Sequence, residues 1–269
     1  MKRFLTASLV LAATMAIPAP VFADSIACTY SASTHEVDLN LSGGVIVYIT
    51  RDVAGHIKIN NSWCGGAATV TNTAHISITG DGGNQSIDID LANKGFKPGY
   101  GNEPGKSDEI EFTVNLGAGV QDVLSILGSA SVDKIDIGQN NALLLFTPRI
   151  NLNSGESTHV DADVTVNNVE LVTILTKGGN DVIRARGLRG TGPDPYNGGL
   201  HAFGGPGDDL IKGGEARDEL HGDSGKDTVW GFGAADTISL ADGEAGDVGY
   251  GGPAIDNITS DPGDTVHQD

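Results

Sequence analysis

The chain has 269 residues, with 35 Asp or Glu against 16 Lys or Arg, so its formal net charge at pH 7 is −19. A charge of this sign and size argues against nucleic acids and anionic membranes as partners, because both are polyanions. Aromatic residues make up only 5% of the chain, which fits a narrow core filled by Ile, Leu and Val.

The first 23 residues have the pattern of a secretory signal peptide. Lys2 and Arg3 form a positive segment, an apolar stretch covers residues 4–17, and Val21-Phe22-Ala23 fits a cleavage site. The apolar stretch is too short for a membrane span, and we expect no transmembrane segment elsewhere. The sequence therefore predicts a secreted protein, extracellular or held at the cell surface, whose formal charge changes from −19 to −21 when Lys2 and Arg3 are removed.

The chain contains two cysteines, Cys28 and Cys64. An even count in an exported protein predicts one disulfide bond. Two alternatives stay open: a pair of unpaired buried thiols, or a lipoprotein anchored through Cys28. The lipoprotein alternative lacks an aliphatic residue at Ser25 and would leave Cys64 without a partner.

Residues 24–175 carry strand and turn signals with almost no helical periodicity. Alternating or β-branched segments are separated by Asn, Gly and Asp, and they cover residues 37–41, 45–50, 56–60, 68–78, 86–91, 110–116 and 164–169. Two Asp-x-aliphatic units, at Asp122 and Asp133, are interpreted as eroded copies of the repeat that follows. A separate β-sandwich over residues 24–120 is the structural alternative.

Four aspartates near the C-terminus stand nine residues apart, and each is followed two residues later by an aliphatic residue. The blocks read GGPGDDLIK, GGEARDELH, GDSGKDTVW and GFGAADTIS, with Asp209, Asp218, Asp227 and Asp236 at the sixth position. The first block matches the nonapeptide G-G-x-G-x-D-x-U-x at every defined position. Two blocks make one turn of a flattened solenoid, so we expect Asp209 to stack on Asp227 and Asp218 on Asp236.

Stacked carboxylates and loop carbonyls favour calcium, a hard cation that takes 6–8 oxygen ligands. Magnesium demands a smaller octahedron, and the absence of Cys and Met from the run argues against zinc or copper. The predicted metal site comprises Asp209, Asp227, Asp218, Asp236, Asp247 and Asp256, with Gly205, Gly207 and Gly225 shaping the loops. At the fourth position Ala216 and Ala234 replace glycine, and each should strain its loop by about 1 kcal/mol where left-handed backbone is required.

The run resembles the hemolysin-type calcium-binding repeats of the RTX proteins, strongly over residues 204–239 and more weakly over 176–266. The resemblance implies a parallel β-roll with calcium between stacked loops. Together with the export signal, it resembles secreted bacterial calcium-binding proteins of unknown activity. RTX toxins and proteases usually lack an N-terminal signal, so their secretion route is not inferred here.

Sequence signals for an enzyme are weak. The zinc-protease motif H-E-x-x-H is absent. Gly222-Asp223-Ser224-Gly225 looks like a serine-protease segment, but it lies in register with the repeat. A uronate lyase or epimerase needs a groove with a base and a cation; the candidate is the loop 184–199, with Arg184, Arg186, Arg189 and Tyr196.

These patterns predict an all-β fold, a right-handed parallel β-solenoid whose wide N-terminal turns lead into a C-terminal RTX-like parallel β-roll. The predicted division is a signal peptide at 1–23, a β-rich solenoid region at 24–175 and a calcium-binding roll at 176–269. The predicted function is a non-enzymatic, secreted, calcium-binding structural protein whose roll folds on binding Ca²⁺. An extracellular or cell-surface polysaccharide is a candidate partner, and a carbohydrate-active or carbohydrate-binding protein is the alternative.

Overall fold

Short strands with alternating burial make up the fold. The structure is a computed structural model that describes residues 24–65, 67–101, 109–140, 147–152, 161–187 and 190–268. The predicted signal peptide lies outside the described residues.

The described ranges contain strands and no helix, and hence no helix long and apolar enough to cross a bilayer. In chain order the strands are β1 (Ser25–Ser31), β2 (Glu36–Ser42), β3 (Ile46–Arg51), β4 (Ile57–Ile59), β5 (Ser62–Trp63), β6 (His75–Thr79), β7 (Ser86–Asp90), β8 (Glu111–Asn115), β9 (Val123–Leu127), β10 (Lys134–Gly138), β11 (Arg149–Asn151), β12 (Val164–Asn167), β13 (Leu171–Leu175), β14 (Val182–Arg184), β15 (Gly199–Phe203), β16 (Leu210–Lys212), β17 (Glu219–His221), β18 (Thr228–Trp230), β19 (Thr237–Ser239), β20 (Val248–Tyr250), β21 (Asn257–Thr259) and β22 (Thr265–His267).

The strands form two sheets, and from β12 onward the chain changes sheet after every strand. Sheet 1 has the order β1-β2-β6-β8-β12-β11-β10-β14-β16-β18-β20-β22, and sheet 2 has the order β21-β19-β17-β15-β13-β9-β7-β3-β4-β5. Pairing from β14 to β22 is entirely parallel. The prediction of an all-β parallel solenoid is confirmed. Sheet 1 departs from it locally, because β11 is inserted antiparallel between β12 and β10.

One inward side chain per strand builds the core of the repeats. Strands β16 to β19 each have three residues, of which only the middle one is buried. These middle residues are fully buried and are Ile211, Leu220, Val229 and Ile238. Strand side chains alternate between faces, so the aliphatic position of every block necessarily points inward when its two neighbours point outward.

The pairing register gives the number of residues per turn. Ile211 lies opposite Val229 in sheet 1, and Leu220 lies opposite Ile238 in sheet 2. Partners are therefore two nine-residue blocks apart, as the repeat predicts. The next turn is two residues longer, since Val229 pairs with Gly249 and Ile238 with Ile258.

Both sheets continue from the N-terminal strands into the repeats. Strand β10 pairs with β14 in sheet 1, and β9 pairs with β13 in sheet 2. A separate β-sandwich over residues 24–120 is therefore wrong, because β6 to β9 belong to the same two sheets as the repeats. The boundary at residue 175 stays a prediction.

Antiparallel strands and a disulfide close the N-terminal end. Strand β1 covers the edge of sheet 1, and the β4–β5 hairpin covers the edge of sheet 2. The Cys28–Cys64 disulfide, with a Cα–Cα distance of 5.4 Å, joins β1 to the residue that follows β5. The disulfide prediction is confirmed, and the free-thiol and lipid-anchor alternatives are wrong because each cysteine has the other as its partner.

Candidate metal centre

Polar residues stack at the two corners where the chain passes between the sheets. Each of them directly precedes a strand, so parallel pairing places successive turns side by side. The first carboxylate column, at crossings from sheet 2 to sheet 1, contains Asp133, Asp181, Asp209, Asp227, Asp247 and Asp264. The second carboxylate column, at crossings from sheet 1 to sheet 2, contains Gln85, Asp122, Glu170, Asp218, Asp236 and Asp256.

Hydrogen bonds between turns hold both columns. The backbone N–H of Asp209 donates to Oδ1 of Asp227 at 2.8 Å, and that of Asp218 donates to Oδ1 of Asp236 at 2.9 Å. Asp209 therefore lies against Asp227 and Asp218 against Asp236, the neighbours that the 18-residue period predicts. An equivalent bond, from the backbone N–H of one column residue to a side-chain oxygen of the next, recurs upstream and downstream at N···O distances from 2.6 to 3.2 Å.

The other oxygen of most repeat carboxylates is buried and has no hydrogen-bond partner. This group comprises Oδ2 of Asp209, Asp227, Asp236, Asp247 and Asp256, and none of these residues is more than 8% exposed. Burying an ionised oxygen away from water without a partner is costly, by several kcal/mol in real proteins. The loops therefore require a proton, a cation or a buried water molecule at these oxygens.

Burial raises the pKa of these carboxyl groups, and the like charge of the column adds to the effect. Desolvation, followed by the charges of Asp209 and Asp247, raises the pKa of Asp227 to about 7. Burial and the charges of neighbouring aspartates likewise raise the pKa of Asp236 to about 7 and that of Asp209 to about 6. Hydrogen bonds from backbone N–H groups oppose the rise without cancelling it. A cation placed between successive turns would offset both causes.

Asp218 differs from the other three repeat aspartates. Its Oδ1 accepts the N–H of Leu200 at 3.0 Å, and its Oδ2 accepts the N–H of Gly214 at 2.6 Å. The bond from Leu200 is the same 18-residue bond between turns, so the difference is the N–H of Gly214, four residues before Asp218 in its own block. Burial still raises the pKa of Asp218, to about 6.

The glycines of the repeat let the loops of successive turns approach closely. A Cβ at Gly205 would overlap the carbonyl oxygen of Lys177, and one at Gly207 would overlap that of Gly179. A Cβ at Gly225 would likewise overlap the carbonyl oxygen of Gly207. Backbone carbonyls of neighbouring turns therefore crowd the space beside the columns, where only glycine fits.

The donor set fits calcium. Within the described ranges, no group of three or more His, Cys, Asp or Glu side chains could hold an ion. Any cation between these loops must therefore take most of its ligands from backbone carbonyls, with one or two carboxylates added. Calcium accepts many carbonyl and carboxylate oxygens in flexible geometry, whereas zinc prefers nitrogen and sulfur ligands.

The left-handed backbone on which the predicted strain depends occurs at one alanine and not at the other. Ala234 adopts φ of 64°, in the left-handed region. Ala216 is not among the residues with positive φ, so the condition for strain is not met there. The second loop position is also left-handed in two blocks, at Asp223 and Phe232, which the spacing of glycines did not predict.

The loop proposed for a uronate-processing site does not form a free cationic groove. Arg184 pairs with Asp136 at 3.3 Å, and Arg186 pairs with Glu215 at 2.7 Å. Tyr196 is 2% exposed, so its ring is not available to stack on a sugar. Arg189 lies outside the described residues.

The columns include two residues that the sequence pattern missed. Gln85 and Glu170 occupy the position of the repeat aspartate. The pattern searched for Asp followed two residues later by an aliphatic residue, and neither residue satisfies it. A search that allowed any side-chain oxygen would have found Gln85, which precedes Ile87 and follows Gly80 by five residues.

The two alanines give a matched pair of glycine substitutions. Ala234→Gly should leave stability unchanged or raise it by up to about 1 kcal/mol, because relief of left-handed strain offsets the extra freedom of the unfolded chain. Ala216→Gly should lower stability by about 0.5–1 kcal/mol, since it relieves no such strain. Urea denaturation in saturating calcium measures both; equal losses in the two variants would contradict the backbone assignment.

In the calcium-free protein, stability should fall as pH rises. The raised pKa values mean that the folded protein holds protons on Asp209, Asp227 and Asp236 that the unfolded chain releases. This contribution is complete below the unfolded pKa of about 4 and is lost as pH rises through about 6–7. Thermal denaturation in chelator should give a lower Tm at pH 8 than at pH 5; the triple Asp→Asn variant should show a smaller difference. A wild-type Tm that is higher at pH 8 would oppose this account.

Comparison with protein families gives a match over the same part of the chain that carries the nine-residue blocks. Residues 203–238 and 213–247 match the model of the RTX calcium-binding nonapeptide repeat (4 copies). Comparisons with curated proteins and with solved structures gave no match. Repeats of this family are typical of extracellular bacterial proteins and are generally non-catalytic. Residues 203–247 are therefore a run of RTX calcium-binding nonapeptide repeats that form part of a parallel β-roll, and Ca²⁺ is the ion that such repeats bind.

Proposed function

We propose that this chain is a secreted, non-catalytic structural protein whose C-terminal roll, residues 176–269, becomes ordered on binding calcium. The N-terminal part, residues 24–175, would then be a preformed solenoid segment on which the roll assembles. Export would depend on the predicted signal peptide at residues 1–23. Cytosolic calcium is low and external calcium is high, so the roll would fold after export.

The buried carboxylate oxygens carry this proposal. Asp209, Asp227 and Asp247 follow one another in the first column, and each has an Oδ2 without a hydrogen-bond partner. Asp236 and Asp256 repeat the arrangement in the second column. Without a cation, ionising these groups places like charges on adjacent turns, which opposes folding. Calcium between the turns would convert this repulsion into attraction, so its binding free energy would become folding free energy.

Individual ligand roles follow from the same contacts. We assign Asp209, Asp227, Asp236, Asp247 and Asp256 as carboxylate ligands, and Asp218 as a weaker one because its two oxygens already accept N–H bonds. Carbonyls of the glycine-rich loops would supply the remaining oxygens, and Gly205, Gly207 and Gly225 would make their approach possible. The N-terminal cap keeps the upstream end of the solenoid closed, which suits a spacer or adhesive module.

Removing one ligand should have opposite effects with and without calcium. Asp227→Asn keeps the shape of the side chain and an oxygen for the Asp209 N–H, but removes the charge. In chelator it should raise Tm by a few degrees, because one carboxylate fewer is buried in the column; in millimolar calcium it should lower Tm and reduce the calcium-dependent gain of β signal in circular dichroism.

Asp133→Asn provides the matched control. Asp133 lies in the same column, but Ser129 donates to both of its oxygens, with its N–H at 2.7 Å and its hydroxyl at 3.4 Å. This substitution should therefore leave the calcium-dependent gain at the wild-type value. A wild-type protein with no calcium-dependent change in β signal or Tm would refute the proposed function.

A cavity of about 920 Å³ keeps a carbohydrate ligand as a second candidate. Lys94 and Lys134 are among its lining residues, together with Glu109, Asp133 and Asp163. Burial first, and then the charge of Glu109, raises the pKa of Asp163 to about 8, which favours its neutral form. Lysines beside a neutral acid suit the carboxylates of a polyuronate.

Polyuronate binding separates this candidate from a purely structural role. Isothermal titration calorimetry should show binding by the wild type and at least a ten-fold loss in Lys94→Ala/Lys134→Ala, because the two ammonium groups would contact the ligand. The calcium response should be unchanged in that variant. Absence of wild-type binding at millimolar uronate would remove the carbohydrate candidate and leave the structural role intact.

A further inference from the structure

Two loops upstream of the matched repeats share the features of the repeat loops. Residues 80–85 connect β6 to β7, and residues 116–122 connect β8 to β9, so both lie in the second column. Gln85 is 1% exposed and Asp122 is fully buried. Oε1 of Gln85 and Oδ2 of Asp122 are buried without a hydrogen-bond partner. Both residues lie outside the segment 203–247 that matches the repeat family.

The orientation of the Gln85 amide is fixed by its neighbours. Its Nε2 donates to the carbonyl oxygen of Gly43 at 2.8 Å and to Oδ1 of Asp81 at 2.9 Å. Both partners are acceptors, so exchanging the nitrogen and oxygen of the amide would bring oxygen against oxygen. Oε1 must therefore face Gly80, where it accepts no hydrogen bond from an N–H or O–H group.

The backbone around these loops repeats the arrangement of the matched repeats. A Cβ at Gly80 would meet Oε1 of Gln85 and, at 2.6 Å, the carbonyl oxygen of Leu116. In the first perfect repeat block, a Cβ at Gly204 would meet Oδ2 of Asp209 and, at 2.7 Å, the carbonyl oxygen of Gly222.

The correspondence extends to the second and fourth loop positions. A Cβ at Gly117 would overlap the carbonyl oxygen of Asp81, and one at Gly119 would overlap that of Gly83 and Oδ2 of Asp122. The equivalent positions in the repeat are Gly205 and Gly207, which face carbonyl oxygens in the same way. Three glycines, Gly80, Gly117 and Gly119, thus allow carbonyls and two unpartnered side-chain oxygens to crowd one corner of the solenoid.

The loop at Asp133 shows what the same corner geometry looks like when the chain satisfies its own oxygens. Gly128 faces Oδ2 of Asp133 at 2.6 Å, but Ser129 donates its N–H and its hydroxyl to that carboxylate. No such donor serves Asp122, whose Oδ1 accepts the N–H of Gln85 at 2.6 Å while its Oδ2 accepts nothing.

We propose that the loops 80–85 and 116–122 form a calcium site outside the RTX repeats, with Gln85 Oε1 and Asp122 Oδ2 as its side-chain ligands. Loop carbonyls, among them those of Gly83 and Leu116, supply the other oxygens. Asp81 acts as a positioning residue, because its carboxylate accepts the N–H of Gly83 at 2.7 Å and orients the Gln85 amide. One carboxylate replaces the two of a repeat site, so the site binds calcium more weakly than the roll does.

Calcium stoichiometry in the full-length protein tests this proposal. Equilibrium dialysis should show that Asp122→Asn binds one calcium ion fewer than the wild type, while Asp133→Asn binds the wild-type number. Gln85→Met should also bind one calcium ion fewer, because it fills a similar volume without the Oε1 ligand. An unchanged number in Asp122→Asn or in Gln85→Met would show that a buried water molecule satisfies these oxygens instead.

A variant in the roll distinguishes failure of the proposed upstream site from failure of the proposed function. Asp209→Asn/Asp227→Asn should lose ions of the roll and retain the weak site at Gln85 and Asp122. If that double variant binds the wild-type number while Asp122→Asn still loses one ion, the proposed roll ligands fail and the upstream site stands. The Gln85→Met measurement remains informative if Asp122→Asn does not fold.

Discussion

The burial of carboxylate oxygens at the corners of the solenoid is the constraint on which the rest of the structure depends. Parallel pairing forces each corner residue onto the one in the previous turn, so a repeated aspartate becomes a column of like charges. One oxygen of each group is satisfied by a backbone N–H of the neighbouring turn. The other is left in a space crowded by carbonyl oxygens, where a proton or a cation would compensate for its charge.

The same constraint explains the composition of the chain. Glycines recur because a Cβ at Gly207 or Gly225 would overlap the carbonyl of the adjacent turn. Large aromatic residues are few because each short strand of the roll contributes one inward side chain, such as Ile211 or Val229, to a narrow core. The formal charge of −19 opposes a compact chain, and this repulsion is one basis of the proposed calcium-dependent folding.

The sequence predicts the geometry of the roll because its repeat is regular. A nine-residue period with one aliphatic position determines which face is buried, and doubling the period correctly pairs Asp209 with Asp227. Where the nine-residue period is interrupted, the sequence predicts the local structure less well. The block of Ala216 lacks the left-handed backbone expected at that residue, and Gly214 of the same block donates its N–H to Oδ2 of Asp218. The inserted loop 185–198 contains Tyr196, which the sequence offered as a residue of a sugar site and which is buried.

Other features were hidden because they depend on three-dimensional contacts. Gln85 is recognisable only by its place in the second column, since an amide does not match a pattern defined by aspartate. The antiparallel insertion of β11 has no periodic signature in the sequence. The disulfide was predictable from the cysteine count, but its role in joining the N-terminal ends of the two sheets required the topology.

The number of protons released on calcium binding tests the central claim most directly. If buried carboxyl groups with pKa values raised to about 7 hold protons until a cation replaces them, binding near pH 6.5 must release protons. Calorimetric titration in buffers of different ionisation enthalpy measures that number. The account predicts a clear release at pH 6.5 that disappears by pH 9; binding without proton release at pH 6.5 would contradict it.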